Sequence, residues 1–372
     1  MRILINASVS GHVMNGFLVY CLNLLRALLP LLKAKGYDVC LVIPRGSILE
    51  ELDVPKKYLP AICGMPKKRS PINPICRLLF NMFVLPFYTH RGDIVYALTP
   101  HGSFWGPGRQ ILTLHDLIPL EFPSQHRLQY YYNRYFLPWM LRHSEKVICI
   151  SRTTRDLLMR RFKQPEEKLS VIYNGCSEDF RPVDGAADLI RGRYGVSDYL
   201  LACGVGFPHK NIKFLIETYA QLDKEFRRQH PLVIVGINTD AYAQGLMAMT
   251  RGLPCAADVH FVGMVPQEVL PALYSAARLF VYPTLSEGFG MPPVESMRCG
   301  TPCIVSDLPI LREILGMHDA RYFNPQDQTS LSVCLMSALE QSKDKCESGV
   351  VGDRYSWAQA ATAVLAELEN MR

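Results

Sequence analysis

A chain of 372 residues is too long for one ordinary core, so two domains are expected. Apolar residues make up 49% and charged residues 20%, as in a globular protein. The +6 balance is too mild for a nucleic-acid footprint, but it suits an anionic ligand or an anionic membrane surface.

Arg2 to Ala7 reads as an apolar strand. A polar loop, Ser8 to Gly16, leads into a strongly apolar helix, Phe17 to Lys35, that Gly36 ends. Val39 to Pro44, Ile94 to Leu98, Ile111 to His115, Lys146 to Ser151 and Val171 to Tyr173 continue as strands, the last before an Asn174-Gly175 turn. A strand this early leaves no room for a signal peptide, and no apolar run is expected to reach the ~20 residues that span a bilayer. The twelve cysteines form no C-x-x-C pair, so they are expected to be reduced and buried in a cytosolic protein.

Lys56-Lys57 and Lys67-Lys68-Arg69 bracket an irregular segment, and Pro74 to Tyr88 is then very apolar. A core helix beside a solvated basic loop is one reading, and a patch that docks on anionic lipid at the inner face of a membrane is the other. Tyr130 to Arg142 is a second aromatic cluster, either core or the wall of an acceptor groove.

Arg181 to Tyr199 mixes Pro, Gly and charge and reads as a hinge, after which the pattern restarts. Leu200 to Gly204, Leu232 to Gly236, Val259 to Val262 and Leu279 to Pro283 are strands, alternating with helices at Ile212 to Phe226, around Ala241 to Arg251, and at Pro266 to Ala277. Ser356 to Met371 is one amphipathic helix. The fold class is α/β, with two doubly wound halves whose strand carboxyl ends line a cleft. The expected domains are 1–183, a hinge region 184–198, 199–355, and a closing helix 356–372.

The richest stretch is Ser286 to Asp307, in which Glu287 and Glu295 flank a loop of two glycines and two prolines. Gly288 and Gly290 let backbone approach a ligand closely, and Pro292 and Pro293 suit a first helical turn. The helix is expected from Pro293 to Cys299, with Glu295 in its first turn. The amides of Phe289, Gly290 and Met291, with the positive helix end, favour a phosphate. Glu295 is placed to take hydrogen bonds from a ribose diol, and Glu287 from sugar hydroxyls. A phosphate between two diol-binding acids describes a nucleotide-sugar.

Glu287 to Glu295 resembles the E-x7-E motif of the retaining GT-B glycosyltransferases of the large family-four group. Thr113 to Leu120 is similar to the "HDLIPL" segment of mannosyltransferase-like members, Pro208-His209-Lys210-Asn211-Ile212 to their P-R-K-N segment, and the tail with Ser356-Trp357 to their closing helix. The resemblance covers nearly the whole chain. It implies two Rossmann-like domains, with the last helix crossing back to the first. It also implies a nucleotide-diphosphate sugar donor, best matched by GDP-mannose, and a glycan or lipid-linked saccharide acceptor.

Residue by residue, the resemblance implies Lys210 as the diphosphate cation and His115 as a hydrogen-bond partner of the transferred sugar. It further implies that Gly16, Asn211, Met264, Val265, Val294 and the Glu287–Met291 loop contact the donor, while Asp116 is expected to orient either loops or the acceptor. The chain departs from the family at Val205 and His209, where many members carry Arg, and at Gly16, where paired glycines are usual. No cofactor or metal is expected, because no Asp-x-Asp clamp and no His/Cys spacing fits one. A sugar-nucleotide 2-epimerase and a non-catalytic sugar-nucleotide-binding subunit remain as rival readings.

Overall fold

The computed structural model describes residues 1–10, 16–63, 72–204, 206–236, 241–316, 320–340 and 354–371. Val205, Met14, Asn15 and the Lys67-Lys68-Arg69 run lie outside the described residues. The chain forms two compact units, one of Met1–Gly175 with Tyr355–Arg372, the other of Cys176–Arg354.

The first unit carries strands β1 (Arg2–Asn6), β2 (Asp38–Ile43), β3 (Lys56–Tyr58), β4 (Ile94–Ala97), β5 (Arg109–Leu114), β6 (Lys146–Cys149) and β7 (Leu169–Val171). Its helices are α1 (Gly16–Ala34), α2 (Ile72–Phe83), α3 (Ile118–Glu121), α4 (Arg127–Tyr131), α5 (Leu137–His143) and α6 (Arg152–Phe162). The seven strands lie in the order β3-β2-β1-β4-β5-β6-β7, all parallel. This is the doubly wound arrangement that strand–helix alternation dictates.

The second unit carries α7 (Ala186–Tyr194), β8 (Leu200–Cys203), α8 (Ile212–Ala220), α9 (Lys224–Gln229), β9 (Leu232–Val235), α10 (Ala241–Arg251), β10 (Val259–Val262), α11 (Leu270–Ala276) and β11 (Leu279–Tyr282). It continues with α12 (Met291–Arg298), β12 (Cys303–Ser306), α13 (Pro309–Leu315), β13 (Arg321–Phe323) and α14 (Gln328–Glu340). Its six strands run β10-β9-β8-β11-β12-β13, again all parallel. The last helix, α15 (Trp357–Asn370), belongs to the first unit. There Trp357, Ala361, Val364 and Leu368 join Leu18, Leu25 and Leu28 of α1 in one core.

Three expectations are corrected. The chain divides between Gly175 and Cys176, not at 183, and the expected hinge is largely α7, which packs on α11 inside the second unit. Gly185 and Gly195, both left-handed at φ 69° and 71°, bound that helix; they read as linker residues only because helix caps and linkers use the same residue types. The expected long helix from Ile212 breaks in two, because the Asp223 side chain accepts from the amides of Glu225 and Phe226 and starts α9. Finally, α1 spans 19 residues and is apolar enough to cross a bilayer by length and composition, but its Leu18, Cys21, Leu24, Leu25, Leu28 and Leu32 are core residues of the first unit. None of the described cysteines is paired.

Candidate active site

Because every strand of the second sheet is parallel, the loops after β8, β10 and β11 emerge along one edge. Gly204, left-handed at φ 92°, turns the chain out of β8, and a Cβ there would sit 3.7 Å from Lys210 Cδ, so the lysine stem lies along the glycine. Lys210 stands just before α8 rather than within it. It ends a one-turn 3-10 helix, Pro208–Lys210, and Asn211, left-handed at φ 59°, separates that turn from α8. Asn211 holds the corner by donating from Nδ2 to Pro325 O at 3.0 Å, so its amide serves the fold.

The loop after β11 is sewn to the same turn: Leu285 N–H donates to His209 O at 2.8 Å. That junction brings Glu287 to Lys210. The Lys210 ammonium lies 2.5 Å from Glu287 Oε1, and the Tyr282 hydroxyl donates to the same oxygen at 2.5 Å while accepting from Lys210 at 3.3 Å. The lysine and glutamate side chains are 20% and 10% exposed, so this group is shielded yet open to a ligand.

Beyond Glu287 the chain passes Gly288 and Phe289, whose ring is buried, to Gly290. Gly290 is the N-cap of α12 at φ 93°, and a Cβ on it would meet Leu311 Cδ2 at 2.7 Å; both facts demand glycine. Among the described residues, no backbone carbonyl takes the amide of Gly290 or of Met291. These nitrogens therefore present donors and positive dipole at the start of α12. The helix begins at Met291, two residues before the expected Pro293, which puts Glu295 in its second turn.

Glu295 keeps part of its surface accessible, but the protein around it removes water, and burial pushes its carboxyl up to about 7; the Tyr274 hydroxyl, donating to Oε2 at 3.2 Å, opposes that rise. The Cys203 thiol, at the end of β8, hydrogen-bonds with Tyr274 and feels Glu295, Lys210 and Glu287. Burial, aided by the carboxylates, pushes this thiol up to about 12, so it stays protonated. Cys203 thus lies close to both carboxyl groups, Glu295 hydrogen-bonded to Tyr274 and Glu287 to Tyr282, in the same unit as a helix end whose amides suit an anion.

The structure sorts the other expected residues. Val294 is fully buried and fills the core, so its side chain is not open to the donor. Met264 is 68% exposed on the loop after β10, with Val265 beside it, along the same sheet edge. His115 lies in the first unit, where its Nε2–H donates to Leu98 O at 2.8 Å and the rings of Tyr20 and Phe17 meet it edge-on. Burial holds its imidazole down to about 4, so it is neutral, and with Nε2 engaged its Nδ1 is left as an acceptor. Asp116 accepts from Ile118 N–H at 3.0 Å and starts α3, a loop-ordering role. Gly16 is exposed at the first position of α1, and a Cβ there would meet nothing within 4 Å, so its own unit does not require glycine. Sequence reading missed Tyr282, Tyr274 and Cys203; the only available signal was their place at strand ends or helix faces running into the acidic loop.

The chain matches two protein families, "Glycosyltransferase Family 4" over residues 14–180 and "Glycosyl transferases group 1" over residues 191–362. It is 30% identical over 342 residues to the O-antigen chain mannosyltransferase RfbU of Salmonella typhimurium, covering 92% of each chain. The chain belongs to the family-four group of GT-B glycosyltransferases. The glycosyltransferase is also 30% identical over 283 residues to the O-antigen chain mannosyltransferase B of Escherichia coli, spanning 73% of this chain and 68% of that one. Its fold matches sucrose-phosphate synthase from Thermosynechococcus elongatus with a TM-score of 0.80 at 20% identity, covering 100% and 99% of the two chains. Anabaena HepE, solved with UDP and glucose, matches with a TM-score of 0.77 at 18% identity over 100% of both chains.

Proposed function

We propose that this glycosyltransferase moves mannose from GDP-mannose to a glycan or lipid-linked saccharide during polysaccharide assembly, with retention at the anomeric carbon and without a metal. The observation that carries the reading is the union of Lys210, Glu287 and Tyr282 beside the unengaged amides of Gly290 and Met291. The sugar and the acceptor class are supported by the relatives named O-antigen chain mannosyltransferases.

In this reading the donor diphosphate sits at the start of α12 and takes over the Lys210 ammonium. Glu295 accepts from the ribose hydroxyls and Glu287 from the mannose hydroxyls. His115 accepts a hydroxyl of the transferred sugar through Nδ1. The bond from the anomeric carbon to the diphosphate oxygen breaks, the acceptor oxygen attacks the same face, and its proton passes to the departing diphosphate. The protein's part is positioning and stabilising charge on the leaving group. No metal-ligating group of three His, Cys, Asp or Glu side chains occurs among the described residues, and Lys210 supplies the positive charge. The enzyme would act at the inner face of the membrane, where a lipid-linked acceptor is presented.

The test is transfer from labelled GDP-mannose to lipid-linked saccharide, with the product anomer read by NMR and the reaction repeated in chelator. Lys210→Ala and Glu287→Ala should each fold and lose about a hundredfold or more in turnover, the scale of one lost charge-stabilising group. Near-normal turnover in either would remove it from the active set. Incubation without acceptor separates the rival epimerase, which alters the donor alone.

A further inference from the structure

In the first unit, α1 lays two rings against His115. Phe17 and Tyr20 stand three residues apart, so they share one face of the helix. Their rings meet the His115 imidazole edge-on, with centroids 5.6 Å and 4.6 Å away and planes crossed at 89° and 90°. The imidazole is pinned at its rim as well, because Nε2–H donates to Leu98 O at 2.8 Å. A half-turn of the ring about its bond to Cβ would put a carbon where that donor stands and carry Nδ1 to the other side.

Tyr20 is itself held at its hydroxyl. That oxygen lies 3.3 Å from the Tyr96 hydroxyl and 3.3 Å from Thr113 Oγ1, and the last two are 3.1 Å apart. Each hydroxyl donates once and accepts once, so the three close a triangle in which every proton is paired. All three side chains are buried. Burial pushes the Tyr96 phenol up to about 12 and the Tyr20 phenol well above its ordinary range, so both keep their protons. Thr113 lies near the end of β5, two residues before His115, and alternation along the strand turns both toward α1.

A further ring backs the tyrosine. Trp357, the first residue of α15, meets Tyr20 with centroids 5.8 Å apart and planes at 67°, inside the same core. Three hydroxyls buried in an apolar core are tolerated only when each is satisfied, and what such a closed group supplies is a single fixed arrangement. The side chain fixed here is Tyr20, and the polar group that its ring touches is His115.

We propose that Tyr20 is a positioning residue: locked by the hydroxyl triangle and by Trp357, its ring holds the His115 imidazole in one orientation and one tautomer, with Nδ1 left to accept from the substrate. The hydrogen on Nε2 is committed to Leu98 O, so Nδ1 is the atom that accepts. The inference rests on the reading of His115 as a hydrogen-bond partner of the transferred sugar. Tyr20 acts through that histidine alone.

The test is a double-mutant cycle read in transfer from GDP-mannose to lipid-linked saccharide, with nitrogen NMR of the histidines beside it. Tyr20→Leu deletes the ring and should lose roughly tenfold in kcat, with KM for the donor little changed because the proposed diphosphate contacts lie in the second unit. Tyr20→Phe keeps the ring and leaves the Tyr96 and Thr113 hydroxyls paired, so it should return kcat to within about threefold of the parent. In a His115→Ala background, Tyr20→Leu should lose nothing further. An equal loss in both backgrounds would show a role in the core alone and overturn the proposal. In the unaltered chain, the nitrogen signals of His115, assigned by their loss in His115→Ala, should show one tautomer protonated on Nε2, and Tyr20→Leu should mix the two. A mixture in the unaltered chain overturns the proposal even where Tyr20→Leu fails to fold, and a single tautomer kept by folded Tyr20→Leu does the same. Parent-like kcat in His115→Ala would instead sink the sugar-contact reading, and the nitrogen signals then decide the positioning by themselves.

Discussion

An ammonium and a carboxylate in contact, as Lys210 and Glu287 are at 2.5 Å, offset much of each other's charge, and in the proposed reaction the donor diphosphate would compete with Glu287 for the lysine. Tyr282 decides how that exchange is tolerated, because its hydroxyl keeps Glu287 Oε1 satisfied when Lys210 turns to the ligand. Tyr282→Phe should fold normally and lose about tenfold to a hundredfold in kcat/KM, the cost of about 1.5–3 kcal/mol for a hydrogen bond to a charged group. Unchanged steady-state kinetics would show the hydroxyl to be idle. At Glu295 the pH sign is set by burial. Its carboxyl is raised to about 7, so the native state keeps a proton that the unfolded chain has already lost above the usual carboxylate range. Stability of the free enzyme therefore falls as pH rises through that window, and Glu295→Gln should flatten the trend in thermal melts taken across it. Donor affinity should run the opposite way, rising as pH climbs through about 7, because only the ionised carboxylate accepts from both ribose hydroxyls. His115, held down to about 4, contributes no limb to that profile near neutrality.

Elements carry these residues to the site through their ends. Gly290 combines a left-handed cap with a backbone-to-Leu311 approach that leaves no space for a methyl group. Gly290→Ala should cost about 2 kcal/mol from the left-handed backbone and overpacking together, read as a lower denaturant midpoint. An unchanged midpoint would mean that the Leu311 side chain yields freely. The glycine and proline pattern of this loop was legible in the sequence because caps and first turns demand particular residue types locally. The start of α12 was misplaced by two residues, since prolines are tolerated throughout a first turn and do not say which position is first. Strand β3 was missed for a different reason. Lys56, Lys57 and Tyr58 form a three-residue edge strand beside β2, with no apolar alternation for a periodicity argument to find.

At the scale of the whole molecule, the first unit is assembled from two distant pieces of chain. Gly175 closes the join: a Cβ there would fall 2.2 Å from Trp357 N, so the Asn174-Gly175 turn and the start of α15 lie against one another. The core beneath α1 is therefore incomplete until the final helix is in place. Leu368, fully buried there, should cost about 3 kcal/mol as Leu368→Ala, lowering the unfolding midpoint of the first unit, whereas Gln359→Ala, at an exposed position of the same helix, should be nearly silent. Equal effects of the two would argue against α15 as a core element.

The sequence by itself determined the alternation of strands and helices, the parallel sheets that follow from it, and the acid-flanked loop, because periodicity, capping and backbone freedom act over a few neighbouring residues. Only the tertiary structure decided that β8 and β11 are neighbours, and hence that Lys210 meets Glu287 from 77 residues away and Tyr282 from 72. It also decided which side of α2 faces outward. An apolar run looks the same in sequence whether a core covers it or not, since burial is a property of what the rest of the chain places against it.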